Sequence, residues 1–232
     1  MMSNEVLLLL HLTLLLVSVF AALRLGKTSL ILLFCLQVLL ANLFVIKQIT
    51  LFSFHVTCSD VYTIGSILTL NLLQEYFGKK AAKEATILLF VATLFFIGMS
   101  QAHLLYHPSH HDTSQLAFKA ILAISPKIMT ISILISFFIA RLDVELFARL
   151  KRFDFFKERL SSRFSVLALF TQFLDTCLFT FIALGSIVAH PGHILLVSFL
   201  TKVVIIASMS PALYFFKKWR KFRYQWFARI FI

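Results

Sequence analysis

The chain has 232 residues, 60% apolar and 14% charged, with a mean hydropathy of +0.92, which excludes an ordinary water-soluble domain. Six Gly and four Pro are too few for a many-turned barrel, and the apolar runs are continuous rather than alternating. The net charge of +12 lies between apolar runs rather than on a nucleic-acid-binding face, and the three scattered cysteines, Cys35, Cys58 and Cys177, offer neither a disulfide framework nor a metal quartet.

Crossing the hydrocarbon core takes about 20 apolar residues. Seven stretches meet that length, at roughly 6–23, 29–46, 59–77, 85–105, 116–140, 164–189 and 194–216. The first lacks a positive leader and a small-x-small cleavage pattern, so it reads as a retained helix rather than a signal peptide. The third is interrupted by Asp60, Asn71, Gln74 and Glu75.

Basic residues alternate with the spans. Arg24 and Lys27 follow the first, Lys79, Lys80 and Lys83 the third, a cluster from Arg141 to Arg163 the fifth, and Lys217 to Arg229 the seventh. This places 18 of the 22 basic residues on one side, so the N-terminus is expected outside and the C-terminus in the cytoplasm. The mixed stretch 141–160 reads as an amphipathic helix on the cytoplasmic surface, and 217–232 as a basic cytoplasmic tail. With no linker or repeat, residues 1–232 form a single membrane domain.

Polar groups inside spans are expensive and therefore informative. Asn71, Gln74 and Glu75 are spaced i, i+3, i+4 and share one helical face, as do Gln172, Asp175 and Thr176. Lys202 lies in the last span, Gln37 and Asn42 in the second. These groups either line a polar ligand cavity or staple helices through a Lys202–Asp175 or Lys202–Glu75 pair; alternatively Glu75 pairs with Lys79 at the cytoplasmic end. All eight histidines map to the outer side, with His103, His107, His110 and His111 beside Asp112 in one loop and His190 and His193 in another. They carry the alternative reading, a divalent-metal permease, although their spacing is irregular. There is no His-Glu-x-x-His, phosphate-cradling Gly-rich loop or Gly-x-Ser-x-Gly, so no catalytic residue, cofactor or resident metal is expected.

The segment Leu68-Thr69-Leu70-Asn71-Leu72-Leu73-Gln74-Glu75-Tyr76-Phe77-Gly78-Lys79-Lys80-Ala81-Ala82 resembles the signature of the vitamin uptake transporter, or queuosine precursor transporter, family. Asp143-Val144 with Phe147, Asp175-Thr176 with Phe179, Lys202-Val203-Val204 and Pro211 with Tyr214 continue the pattern in order. The resemblance implies an all-α membrane fold of about seven helices. Residues 29–216 would form a six-helix core similar to the substrate-binding components of energy-coupling-factor transporters, preceded by one extra helix at 6–23. It also implies import of a queuosine precursor or queuine, a 7-deazapurine base, across the bacterial inner membrane, without nucleic-acid binding. An energising partner or a homo-oligomer is left open. Asn42, Asn71, Gln74, Glu75, Gln172, Asp175 and Lys202 are the expected substrate contacts, with Asp175 and Glu75 as anchors for the base edge. The chain departs from the family pattern at Asn71, where Asp is usual, and at Ala140, where Gln is usual; a shift toward the bulkier queuine is one reading.

Overall fold

A computed structural model describes residues 3–45, 47–52, 54–57, 59–122, 126–184 and 191–230. Helix α1 (Asn4–Leu25) opens on Ser3, whose hydroxyl accepts from Val6 N at 3.4 Å. It closes at Gly26, whose N–H donates to Ala22 O at 3.0 Å. Gly26 holds φ 112, a conformation that strains any residue with a Cβ, and α2 (Lys27–Phe44) starts on the next residue. One glycine thus makes the whole connection between two apolar helices.

An antiparallel hairpin follows, β1 (Gln48–Leu51) against β2 (Phe54–Thr57), with Gln48 opposite Thr57 and Leu51 opposite Phe54. The N-terminus of α1 ties it down: Asn4 Nδ2 donates to Thr50 O at 2.8 Å, and Glu5 Oε1 accepts from Phe52 N at 3.1 Å.

Helix α3 (Asp60–Leu104) runs for 45 residues but breaks at Gly78 (φ 88, ψ 166). At 1.5 Å per residue it would extend about 68 Å, twice the hydrocarbon thickness, so the break makes it two helices. Leu70 and Leu73 before the break share an apolar cluster with Ala81, Ala82, Ala85 and Leu89 after it. Small alanines suit this contact, because helices in lipid associate through close packing rather than through expulsion of water. The chain continues through α4 (Gln115–Leu122), α5 (Pro126–Leu150), a single turn α6 (Asp154–Lys157) and α7 (Leu160–Leu178). A π-helical segment, Phe179–Leu184, and the long α8 (Pro191–Ile230) complete it.

The outward faces carry side chains such as Leu9, Val17, Val91, Phe95 and Phe138, all more than half exposed, whereas Thr69, Asn71, Asp143, Arg163, Gln172 and Lys202 are buried. Apolar outside and polar inside is the pattern that lipid demands. Among the described residues five helices are long and apolar enough to cross a membrane, the broken α3 being counted once. The expected fifth span is divided between α4 and α5, and residues 123–125 lie outside the described set. The fold is an all-α, multi-spanning membrane bundle with one small hairpin.

The hairpin occupies the segment between the second and third spans, to which sequence reading assigns no element. One expectation needs correction. The separate surface helix at 141–160 is absent: residues 141–150 are the last turns of α5, with Asp143, Val144 and Phe147 fully buried, and only the short α6 stands apart. The bases that suggested a surface helix occupy the solvent side of an otherwise packed helix end. Side chains of the tail, 217–232, and of Lys127, His55, His193 and Tyr214 lie outside the described set, as do Cys58 and His190 altogether.

Ion pairs gather at the end of the bundle opposite the hairpin. Lys27 meets Glu84 at 2.6 Å, and Glu145 meets Lys79 at 2.6 Å and Lys83 at 2.7 Å. The two lysine hydrogen bonds hold the Glu145 carboxyl down at about 2. Glu75 meets Lys151 at 2.8 Å and Arg163 at 2.8 Å.

Candidate functional site

A cavity of about 540 Å³ opens between α2, α3, α5, α7 and α8 at the hairpin end. That volume lies within the usual range for small-molecule sites, about 300–1,000 Å³. The hairpin supplies part of the wall through Gln48, Phe54, Val56 and Thr57.

The polar groups come from five helices. On α7, one turn separates Gln172 from Asp175 and Thr176, so all three reach the cavity. Lys202 of α8 is 5% exposed and donates to Asp175 Oδ2 at 3.1 Å and to Thr176 Oγ1 at 3.0 Å. This pair neutralises two charges in the wall and crosslinks two helices. Asn42 of α2 accepts from Ser132 Oγ of α5 at 2.8 Å and donates to Val38 O at 2.9 Å, which fixes its amide in the wall. Gln172 is buried, with Oε1 free of any hydrogen bond.

Asp60, the first residue of α3, lines the same space. It is 4% exposed and its Oδ2 has no hydrogen-bond partner. Asp175 already has Lys202, so Asp60 brings the one cavity carboxylate, among the described residues, that stands without an ion pair. It sits in the first turn of α3, where the helix N-terminus acts on its charge, and Ser59, Thr63 and Ser66 line the same cavity. Just beyond Asp175, the wider π-helical turn presents Phe179 and Thr180 to the cavity. Such turns recur at functional sites. Phe34, Phe54 and Phe179 line the cavity and offer ring faces to a flat ligand.

Of the seven expected contacts, the structure therefore brings Asn42, Gln172, Asp175 and Lys202 to one cavity. Asn71, Gln74 and Glu75 do share a helical face, but that face turns toward α5 and α7. Gln74 Nε2 donates to Val144 O at 2.8 Å, Asn71 lies beside Asp143, and Glu75 pairs with Arg163 and Lys151. Glu75 thus pairs with bases of the α5–α7 end rather than with Lys202 or Lys79. Sequence reasoning treats Asp60 only as an interruption of the third span and misses it as a site residue; its place at the outer end of that span is the signal that could have marked it. Ala140, one of the two departures from the family pattern, lines the cavity, and Asn71 does not.

Among the described residues no group of three His, Cys, Asp or Glu comes together to hold a metal ion. In the histidine loop, Asp112 is used to start α4: Oδ1 accepts from Ser114 N at 2.9 Å and from Ser114 Oγ at 2.6 Å, and Oδ2 from Gln115 N at 3.1 Å. The same bonds hold its carboxyl below the ordinary range. The metal-permease alternative thus has no described ligand cluster to rest on.

A multi-spanning bundle, apolar toward lipid and enclosing a polar, ion-paired cavity, is the architecture of a membrane carrier. The family described as "Putative vitamin uptake transporter" matches residues 57–216, more than half of the chain, and the protein belongs to that family of transporters. The chain is 28% identical over 197 residues to the "Probable queuosine precursor transporter" of Bacillus subtilis (strain 168), covering 83% of this chain and 85% of that protein. No solved structure matches it.

Proposed function

We propose that the protein imports a 7-deazaguanine-type base, a queuosine precursor or queuine, across the bacterial inner membrane through the cavity at Asp60. The similarity to the "Probable queuosine precursor transporter" of Bacillus subtilis supports the substrate class. The observation that carries the chemistry is the unpaired Asp60 carboxylate beside the Asp175–Lys202 pair. A deazaguanine edge presents a ring N–H and an exocyclic amine side by side, and a carboxylate accepts both. Lys202 or Gln172 answers the carbonyl, and Phe34, Phe54 and Phe179 cover the ring faces. Asn42 completes the polar wall. Asn71, Gln74 and Glu75 have a different role, in closing the opposite end.

The reading takes the chain as seven spans with the N-terminus outside. The break at Gly78 supports two crossings within α3, and the ion-paired end holds Lys27, Lys79, Lys83 and Lys151, which the positive-inside bias puts in the cytoplasm. The cavity then faces outward beneath the hairpin, and the packed α3–α5–α7 end is the inner gate. Alternating access requires that end to open. No step alters the substrate.

The test is uptake of labelled queuine and of its cyano and aminomethyl precursor bases into cells lacking both synthesis and their own transporter. Saturable uptake of one base, lost in Asp60→Asn and Asp175→Asn proteins that still reach the membrane, is the expected result. Absence of uptake for all three bases by inserted wild-type protein would refute the reading.

A further inference from the structure

Away from the cavity, α3 and α5 enclose a second polar cluster. Asp143 is fully buried, and neither of its carboxylate oxygens has a hydrogen bond of good geometry. Asn71 lies beside it, 1% exposed, within reach of the carboxylate, although neither end of its amide forms a hydrogen bond of good geometry. One turn along α3, Gln74 is 7% exposed; its Nε2 is held by Val144 O at 2.8 Å, next to Asp143 in sequence, and its Oε1 has no partner. Four side-chain oxygens on these neighbouring residues are therefore buried without a hydrogen bond of good geometry: Oδ1 and Oδ2 of Asp143, Oδ1 of Asn71 and Oε1 of Gln74.

No basic side chain answers Asp143 among the described residues. The nearby bases are committed elsewhere, Arg163 and Lys151 to Glu75, and Lys79 and Lys83 to Glu145. Buried charges are paired or coordinate a metal, and an isolated carboxylate within a membrane bundle is not sustained. One positive charge is missing, and these neighbouring side chains carry the oxygens that could receive it.

We propose that Asn71, Gln74 and Asp143 form a sodium site that is distinct from the substrate cavity and sits in the packed inner end of the bundle. Hard cations take oxygen ligands, and carboxylate plus amide oxygens supply them. Charge balance selects a monovalent ion, since a divalent one would leave a net positive charge in the apolar interior. A proton on Asp143 would neutralise the acid but leave Gln74 Oε1 unsatisfied, whereas a sodium ion accounts for all four oxygens. Asn71, in place of an acid, keeps the site at a single negative charge. Ion binding between α3 and α5 stabilises the closed inner end and gives import an energy source. The coupling role rests on the transport reading above; ion binding itself does not.

The test uses the full-length purified protein without substrate. Its unfolding temperature is followed while sodium chloride replaces choline chloride at constant ionic strength, at pH 6, 7 and 8, and ²²Na⁺ binding is measured by equilibrium dialysis. A ligand that binds only the folded state raises its stability in step with occupancy. The expected result is a saturable rise of several degrees with sodium, absent with potassium or choline, and about one ²²Na⁺ bound per chain. Asp143→Asn, which removes the buried charge and so should still fold, is expected to abolish both signals, and Asn71→Leu to weaken sodium binding at least tenfold. Equal unfolding temperatures in sodium and choline with no bound ²²Na⁺ would overturn the proposal, and so would full sodium binding by Asp143→Asn. A stability that follows pH alone, with no response to sodium, would assign the site to a proton and equally overturn it. Because no base is present, none of these outcomes depends on whether the protein carries one.

Discussion

The Glu75–Arg163 pair separates a structural role from a ligand-binding one. Arg163 is 1% exposed at its side chain and Glu75 is 18% exposed, with Nη2 and Oε2 2.8 Å apart. The contact is an ion pair without the alignment of a hydrogen bond, while Arg163 Nη1 donates to Lys157 O at 2.9 Å. At an effective dielectric of 20 the gross attraction at this distance is about 6 kcal/mol. Desolvation offsets a large part of it, and removing one partner of a buried pair costs about 3–5 kcal/mol. Glu75→Gln strands the arginine, and the partial exposure of Glu75 puts the expected loss at the lower end, about 3 kcal/mol. Lys151, with its side chain 46% exposed, adds little. Replacing both Glu75 and Arg163 by apolar residues is expected to recover most of the loss. The assay is denaturant unfolding in detergent for each single variant and the double variant, with base binding measured on the same samples. The reasoning is refuted if Glu75→Gln leaves stability unchanged while weakening base binding tenfold, because Glu75 would then be a ligand contact.

Four further outcomes follow from the geometry. An added Cβ at Gly65 would lie 2.6 Å from Leu15 Cδ1, so Gly65→Ala is expected to destabilise by about 1–3 kcal/mol and Leu15→Ala to relieve it, as a thermal-melt double-mutant cycle would report. Gly78→Ala meets open space but must hold φ 88, and a loss of about 1–2 kcal/mol in unfolding free energy is expected from backbone strain alone. Ala140→Gln would fill part of the cavity, so uptake of queuine should fall more than uptake of the smaller precursor bases in a competition assay. The Glu145 carboxyl, held near 2 in the folded protein against an ordinary 4.5, contributes stability above pH about 4.5 and loses it as pH falls toward 2; Glu145→Gln should flatten that acid limb in melts taken across pH 2–6.

Much of the architecture was legible because lipid imposes length and polarity so strictly. Asp175 and Lys202 stood out as charges in long apolar runs, and the single turn that links Gln172 to Asp175 gave their common direction. Periodicity also put Asn71, Gln74 and Glu75 on one face, but it does not say what that face meets. Its partners, Asp143, Val144 and Arg163, lie some 70 to 90 residues downstream in the chain, and only the packing of α3 against α5 and α7 selects them over the cavity. The hairpin was hidden for a local reason. Its turn holds Phe52 at φ 48 and lacks the Asn-Gly or Asp-Gly pair that announces such turns in sequence. Missing the hairpin also meant missing Asp60, since the cavity wall at that end is built from both.

Equilibrium binding of 7-deazaguanine and 7-deazahypoxanthine to the purified protein tests the central claim most directly, because the two bases differ only in the exocyclic amine that Asp60 would accept. A hydrogen bond to a charged group is worth about 1.5–3 kcal/mol, or roughly 10- to 100-fold in affinity. The account predicts that the wild-type protein prefers 7-deazaguanine by about that factor and that Asp60→Asn erases the preference while the protein stays folded. Equal affinity for the two bases in the wild type, or an unchanged preference in Asp60→Asn, would contradict it.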